Sequence, residues 1–319
     1  MKAVLYEKYG PPEVLELREI PKPSPRDHEV LIRVHATTVT AADWRLRSLS
    51  APKGFGLLMR LALGPSRPRR PILGAELSGE IESIGAAVSK FKVGDKVFAG
   101  VLGSYVEYKC VHEDGPLALE PTNLGYEEAA ALSFGGVTAL TVVRKGRIQS
   151  GESVLINGAS GAVGTAAVQL AKHHGARVTG VCSTLNLELV KSIGAEQVID
   201  YTREDFTRSG ETYDVIVDNV GNAPFSRVKG SLKEGGRLLL VVGTLSDMLL
   251  APLVSLGSGK RVVPVPARPK AEDLRFLASL AESGSFKPVI DRRYPLEQIV
   301  EAHRYVDTGR KRGNVVVTL

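Results

Sequence analysis

The chain has 319 residues, 43% of them hydrophobic, and a formal net charge of +6. That length and apolar content allow a large core and suggest two domains, and no apolar run approaches a membrane span. Cys110 and Cys182 are the only cysteines, which excludes a disulfide framework and a cysteine-based zinc site. With no apolar signal-peptide core in the opening MKAVLYEKYGPP, a cytoplasmic location is expected.

In chain order, EVLIRVHATTVT alternates as a strand, LGAELSGEIESIG and FKVGDKVFAG read as glycine-punctuated strands, and GSYVEYKCV adds another. Several short strands with turn signals predict a compact β-rich domain. Within it, Arg45, Arg47, Lys53, Arg60, Arg67, Arg69 and Arg70 fall in a stretch with no acidic residue between Asp43 and Glu76. A nucleic-acid patch is one reading. A solvated loop, or a rim attracting an anionic cofactor, is the favoured one, because no tyrosine or tryptophan lies among those arginines.

At Ser153 the pattern changes. The run Val154, Leu155, Ile156 reads as a buried strand, and Val163, Ala166, Ala167, Leu170 and Ala171 recur at helical spacing. Between them lies Ala159-x-Gly161-x-x-Gly164, a variant of the dinucleotide-binding fingerprint with alanine for the first glycine. Small residues there let the chain turn tightly, bring backbone N–H groups onto a pyrophosphate and seat the helix on the sheet. The positive end of that helix faces the phosphates. Apolar strands then alternate with the helical segments LELVKSIGA and VKGSLKEGG: RVTGVCS, QVIDY, YDVIVDNVG and RLLLVVGT. This is the alternation of a parallel, doubly wound sheet. After Thr244, RVVPVP is a short strand, AEDLRFLASLAESG a helix, and the tail ends in a strand that could return to the first domain.

The order of GAELSGEIESIG, FKVGDKVF, EEAAALSFGGVTAL, VLINGASGAVG, GAEQVIDY, DNVG and GRKRGNVVV resembles the zinc-independent quinone oxidoreductase, or zeta-crystallin-like, branch of the medium-chain dehydrogenase/reductase superfamily. The resemblance implies an α/β fold in which a doubly wound parallel Rossmann sheet is inserted in a β-rich GroES-like catalytic domain. The expected bounds are 1–118 and 265–319 for the catalytic domain and 119–264 for the NADPH-binding domain.

Zinc alcohol dehydrogenases of the wider superfamily place a cysteine near TAADWR, a histidine before the glutamate of GAEL, and a further cysteine cluster. This chain has Asp43 near the first position, Ala75 at the second and no cluster, so neither the three ligands of catalytic zinc nor the four of structural zinc are available. Without a Lewis acid, oxidation of an unactivated alcohol loses its usual alkoxide stabilisation. Hydride transfer to a quinone or an α,β-unsaturated carbonyl is therefore expected. A non-catalytic NADPH-binding protein with a structural, sensory or RNA-binding role is the alternative.

NAD-specific folds carry an acidic residue about twenty positions after the glycine loop, where it holds the ribose 2′-hydroxyl. Here Ser183 and Thr184 stand in that place, and hydroxyl donors accept a 2′-phosphate that a carboxylate would repel. NADPH is the expected cofactor. By resemblance, Tyr201 and Arg310, Lys311 and Arg312 complete the phosphate pocket. The same register implies Ser160, Gly161, Ala162, Val163 and Gly164 at the pyrophosphate, with Asn219, Val220, Gly221, Val242 and Gly243 closing over the cofactor. It also implies Thr138 beside the nicotinamide, and Val263 or Pro264 offering backbone to the carboxamide. Asp43 and Trp44 match positions lining the family's substrate cleft and are the candidate catalytic residues, although Asp43 also suits a helix cap and water can protonate a reduced quinone. The expected partner is a small quinone or enone, with no membrane and no nucleic acid, and a homodimer is allowed.

Overall fold

The computed structural model describes residues 1–319, which divide into two compact units. One comprises residues 1–51, 56–134 and 269–319, the other residues 52–55 and 135–268. In chain order the strands are β1 (Lys2–Leu5), β2 (Glu16–Glu19), β3 (Glu29–Val39), β4 (Leu77–Ile84), β5 (Lys96–Ala99), β6 (Tyr108–His112), β7 (Leu117–Leu119) and β8 (Ser153–Asn157). They continue with β9 (Arg177–Cys182), β10 (Gln197–Asp200), β11 (Tyr213–Asp218), β12 (Leu232–Leu240), β13 (Arg261–Pro264), β14 (Ile290–Pro295) and β15 (Asn314–Thr318). Five helices matter below: α1 (Ala41–Ser48), α2 (Gly56–Leu63), α3 (Tyr126–Ala130), α4 (Ser133–Gly146) and α5 (Ala162–His173). No helix is long and apolar enough to cross a membrane.

The first unit is built on a sheet of order β14-β15-β3-β4-β5-β7, with β6 also paired to β3. Alternation in β3 and β4 aims Val30, Ile32, Val34, Leu77 and Ile81 into one core. The last strand, β15, lies antiparallel to β3 with Val315 opposite Val39. Residues 119–134 also belong here rather than to the nucleotide unit, which begins at Gly135 and ends at Arg268. The cause is packing of α3 on this sheet: Tyr126 stacks on His35 at 4.3 Å and its carbonyl accepts from Ser78 Oγ.

The second unit is a six-stranded sheet of order β10-β9-β8-β11-β12-β13, with all neighbouring strands parallel. Leu155, Val181, Ile216, Leu238 and Leu240 form its core, and full burial of each such side chain contributes roughly 1.5 to 3 kcal/mol. The order reverses between β8 and β11, the switch point at which such sheets leave a crevice outside their carboxyl ends. The segment VKGSLKEGG does not form the expected helix. Leu232 onward opens β12, and Gly235, at φ +72°, turns the chain there. A helix the periodicity did not announce, α6 (Leu245–Gly257), follows Thr244, which caps it in a reciprocal box with Asp247.

Candidate functional site

Strand β8 ends at Asn157, and Gly158 takes a φ of +76° that a side chain rarely adopts. The N–H groups of Gly158 and Ala159 donate to the Val181 carbonyl at 3.1 and 3.0 Å, tying the loop to β9. Helix α5 then starts on Gly161 with no side-chain cap, so the amides of its first turn remain as donors for a ligand. The two fingerprint glycines do different work. A Cβ at Gly161 would meet only the Gly158 oxygen at 3.8 Å, whereas one at Gly164 would lie 2.0 Å from that same oxygen. Gly161 leaves room at the helix start; Gly164 lets the helix press against the loop.

Beside this loop, the buried Asn186 donates through Nδ2 to Ser160 Oγ at 3.1 Å and to Ser183 Oγ at 3.2 Å. Its own Oδ1 is buried without a partner. Tyr201 joins the group through its N–H, which donates to the Cys182 carbonyl at 3.1 Å, and its side chain stays 63% exposed. Thr184 is a correction: its hydroxyl donates to Asp200 Oδ2 at 2.5 Å and is not free to donate to a phosphate. That hydrogen bond, with others from Thr202, holds the Asp200 carboxyl below the usual carboxylate range. Arg203 places Nε 3.5 Å from the same carboxylate and is otherwise exposed. Neither Asp200 nor Arg203 was singled out from the sequence, although IDYTR puts both within two positions of Tyr201.

At the end of β11 the buried Asp218 organises the next turn. Its Oδ1 accepts from the N–H groups of Val220 and Gly221, each at 3.0 Å, and its Oδ2 from Ala223 N at 2.9 Å. The amides of Val220 and Gly221 are thus committed within the protein, and these residues can offer a ligand surface but no donor. Asn219 differs: Nδ2 donates to the Asn157 carbonyl at 3.1 Å, while Oδ1 is buried without a partner. Val242 N donates to the Asp218 carbonyl at 3.3 Å, and Gly243 follows directly. Val263 and Pro264 end β13 opposite Leu239 and Leu240. Proline has no N–H to give, and its carbonyl accepts from Lys145 at 3.5 Å. Thr138 is buried on α4. Unpartnered Oδ1 atoms on Asn186 and Asn219, the open space at Gly161 and the uncapped α5 are features that a dinucleotide would satisfy.

The first unit holds the remaining candidates. Asp43 is completely buried as the third residue of α1, where it accepts from Thr40 N and Oγ1 in a reciprocal capping box and from Gly74 N at 2.8 Å. Burial raises its pKa. Every contact is internal, so the structure gives Asp43 the capping role and removes it as a catalytic acid. Trp44 packs at the edge of the cluster containing Leu73 and Tyr105. Lys311 is half-buried: its Nζ donates to the Gly313 carbonyl at 2.6 Å, and burial pushes its pKa down to about 8 against the pull of Glu76 and Asp291. Arg312 is exposed, with N and Nε 2.8 and 3.4 Å from the Asp291 carboxylate, and Arg310 is exposed beside it. These three basic residues belong to the first unit, whereas Ser160, Ser183, Asn186 and Tyr201 belong to the second.

Zinc does not fit this chain. No group of three or more His, Cys, Asp or Glu side chains is arranged to hold a metal ion. Glu76, next to Ala75, accepts instead from Thr38 Oγ1 and Phe134 N, both at 2.5 Å, and burial pushes its pKa up to about 7.

Residues 26–150 match the alcohol dehydrogenase GroES-like domain family, and residues 193–317 match a family described as zinc-binding dehydrogenase. A chloroplast envelope quinone oxidoreductase homolog of Arabidopsis thaliana is 33% identical, over 99% of this chain and 98% of its own. Human quinone oxidoreductase is 33% identical over 97% and 94%, and an Arabidopsis NADPH-dependent alkenal/one oxidoreductase is 31% identical over 99% and 79%. Among solved structures, the quinone oxidoreductase of Coxiella burnetii superposes with a TM-score of 0.88 at 30% identity, covering 100% of this chain and 99% of that one. The Escherichia coli quinone oxidoreductase complexed with NADPH gives 0.84 at 25%, with both chains fully covered.

Proposed function

Since the chain belongs to the quinone oxidoreductase branch of the medium-chain dehydrogenase/reductase superfamily, we infer that it is an NADPH-dependent oxidoreductase whose acceptor is a quinone or an α,β-unsaturated carbonyl. NADPH supplies the hydride. The observation that carries the reading is the hydrogen-bonded set Ser160–Asn186–Ser183 at the carboxyl end of the parallel sheet. A serine rather than an acidic residue follows β9, where NAD-specific folds carry the carboxylate that reads the ribose hydroxyls, and this supports NADPH.

The amides of Ala162, Val163 and Gly164 at the uncapped start of α5 are proposed to hold the diphosphate, with the helix dipole adding to their attraction. Ser183, with Tyr201 near it, is proposed to hold the 2′-phosphate, and the exposed Arg203 to add charge. Asn219 Oδ1 is the acceptor offered further along the crevice. With no donor set for a Lewis acid, the chain has no means of stabilising an alkoxide formed from a plain alcohol. A quinone or enone spreads the developing negative charge over its own conjugated system, and water can protonate the product. No dedicated acid is required.

The test is NADPH consumption against a panel of quinones, enones and aldehydes, with oxygen-dependent redox cycling controlled and chelator present. Turnover of quinones or enones in chelator is expected. Cofactor binding without turnover, or oxidation confined to plain alcohols and abolished by chelator, would overturn the reading.

A further inference from the structure

Helix α2, GLLMRLAL, has no buried residue. Leu57, Leu58 and Leu61 are 72%, 53% and 56% exposed, and their spacing puts them on one side of the helix. Three adjoining exposed leucines form an apolar patch of the kind found at interaction sites. The basic stretch noted in the sequence supplies the second half of the pattern. Arg47 is not part of it, being buried and paired with Asp307. Arg60, Arg67, Arg69 and Arg70, however, are all exposed.

The loop after α2 turns back on the helix. Arg60 Nε donates to the Pro65 carbonyl at 3.0 Å, Arg69 N to the Leu63 carbonyl at 2.8 Å, and Tyr9 OH to the Gly64 carbonyl at 3.0 Å. The Arg60 guanidinium is thereby held at the end of the leucine row, and so is that of Arg69, whose Nη1 donates to the Ala62 carbonyl at 3.4 Å. No carboxylate pairs with any of the four arginines. The nearby Glu7, which lines the groove beside Arg67 and Arg69, is engaged by Arg18 at 2.8 Å.

We propose that α2 and the arginines after it seat the protein on an anionic lipid surface, the leucines entering the acyl boundary and the guanidinium groups meeting the headgroups. This goes beyond the reductase reading and does not depend on it. Expecting no membrane partner followed from the absence of a spanning segment, and an interfacial helix needs none. Charge complementarity selects this occupant over two others. Residues 56–70 contain no aromatic side chain to stack on nucleic-acid bases. A second copy meeting this face about a twofold axis would bring together two patches of the same positive charge. The other exposed leucine row, Leu249, Leu250, Leu253 and Leu256 on α6, lies on a helix whose single charge is Asp247 and lacks the basic component.

The experiment is co-sedimentation of the full chain with vesicles of phosphatidylcholine alone and of phosphatidylcholine with phosphatidylglycerol. Binding to the anionic vesicles only, weakened by salt, is expected. The triple variant Leu57→Ser, Leu58→Ser, Leu61→Ser should lose it, and the quadruple variant Arg60→Gln, Arg67→Gln, Arg69→Gln, Arg70→Gln should weaken it by about tenfold or more. The leucine variant should keep NADPH oxidation in solution. The proposal is overturned by no binding to anionic vesicles or by binding that both variants retain. It is equally overturned by binding lost instead in Leu249→Ser, Leu253→Ser, Leu256→Ser, by RNA binding that the arginine variant abolishes while vesicles are ignored, or by a concentration-dependent dimer that the leucine variant dissolves.

Discussion

Asn186 Nδ2 lies 3.1 Å from Ser160 Oγ, so the loop after β8 and the end of β9 are one hydrogen-bonded surface. The same amide reaches Ser183 at 3.2 Å, and the two serines proposed at opposite ends of the adenosine diphosphate are positioned by a single buried side chain. Replacing Asn186 by Leu removes both bonds and leaves two serine hydroxyls to reorient. At roughly 0.5 to 1.5 kcal/mol per bond, NADPH affinity should fall about 5- to 100-fold. NADH affinity should fall with it, because Ser160 serves both cofactors. Fluorescence titration measures this, and affinities equal to wild type would show that the bridge does not shape the site.

The fingerprint glycines should separate cleanly. In Gly161→Val the new side chain enters open space, so the protein should melt near the wild-type temperature and bind NADPH poorly. In Gly164→Val the Cβ meets the Gly158 oxygen at 2.0 Å, and folding itself should suffer. Thermal denaturation beside cofactor titration distinguishes the two. Gly161→Val protein that binds NADPH normally would take the diphosphate away from this loop.

Cofactor choice rests on charge near Ser183. A charge-assisted contact is worth roughly 1.5 to 3 kcal/mol, so Arg203→Ala should lower NADPH affinity about ten- to a hundredfold, with NADH barely changed. Ser183→Asp adds repulsion against the phosphate and a partner for the ribose hydroxyls, and should invert the preference. The ratio of kcat/KM for NADPH over NADH at fixed ionic strength is the readout. A wild-type ratio below one would reverse the assignment.

Acid stability should depend on His303. It is fully buried, its Nδ1 accepts from Arg47 Nε at 3.2 Å, and burial followed by the Arg47 charge pushes its pKa down to about 3. Between its unfolded value, near 6.5, and about 3, the unfolded chain binds a proton that the folded chain refuses. Stability from this site is therefore complete above pH 6.5 and is lost as pH falls through that window. His303→Gln keeps an acceptor for Arg47 without the titration. Its melting temperature should fall less steeply than that of wild type between pH 6.5 and 5, and parallel curves would remove His303 from the acid response.

What the sequence determined by itself is whatever short-range spacing encodes: the β8–loop–α5 unit, the uniformly apolar strands of a parallel sheet, the serine after β9, and the lack of zinc ligands around Ala75. Each is written in residues a few positions apart, where steric and periodic rules act locally. Even the capping box of Thr244 and Asp247 was there to be read, although Pro252 inside the following helix obscured it. Tertiary structure alone decided which of the candidate donors are free. Thr184 is taken by Asp200, and the amides of Val220 and Gly221 by Asp218. Asp43 is sealed under Gly74, thirty-one positions away. A buried polar group must find a partner wherever the fold supplies one. The partner's identity depends on packing across the chain, which no local pattern records.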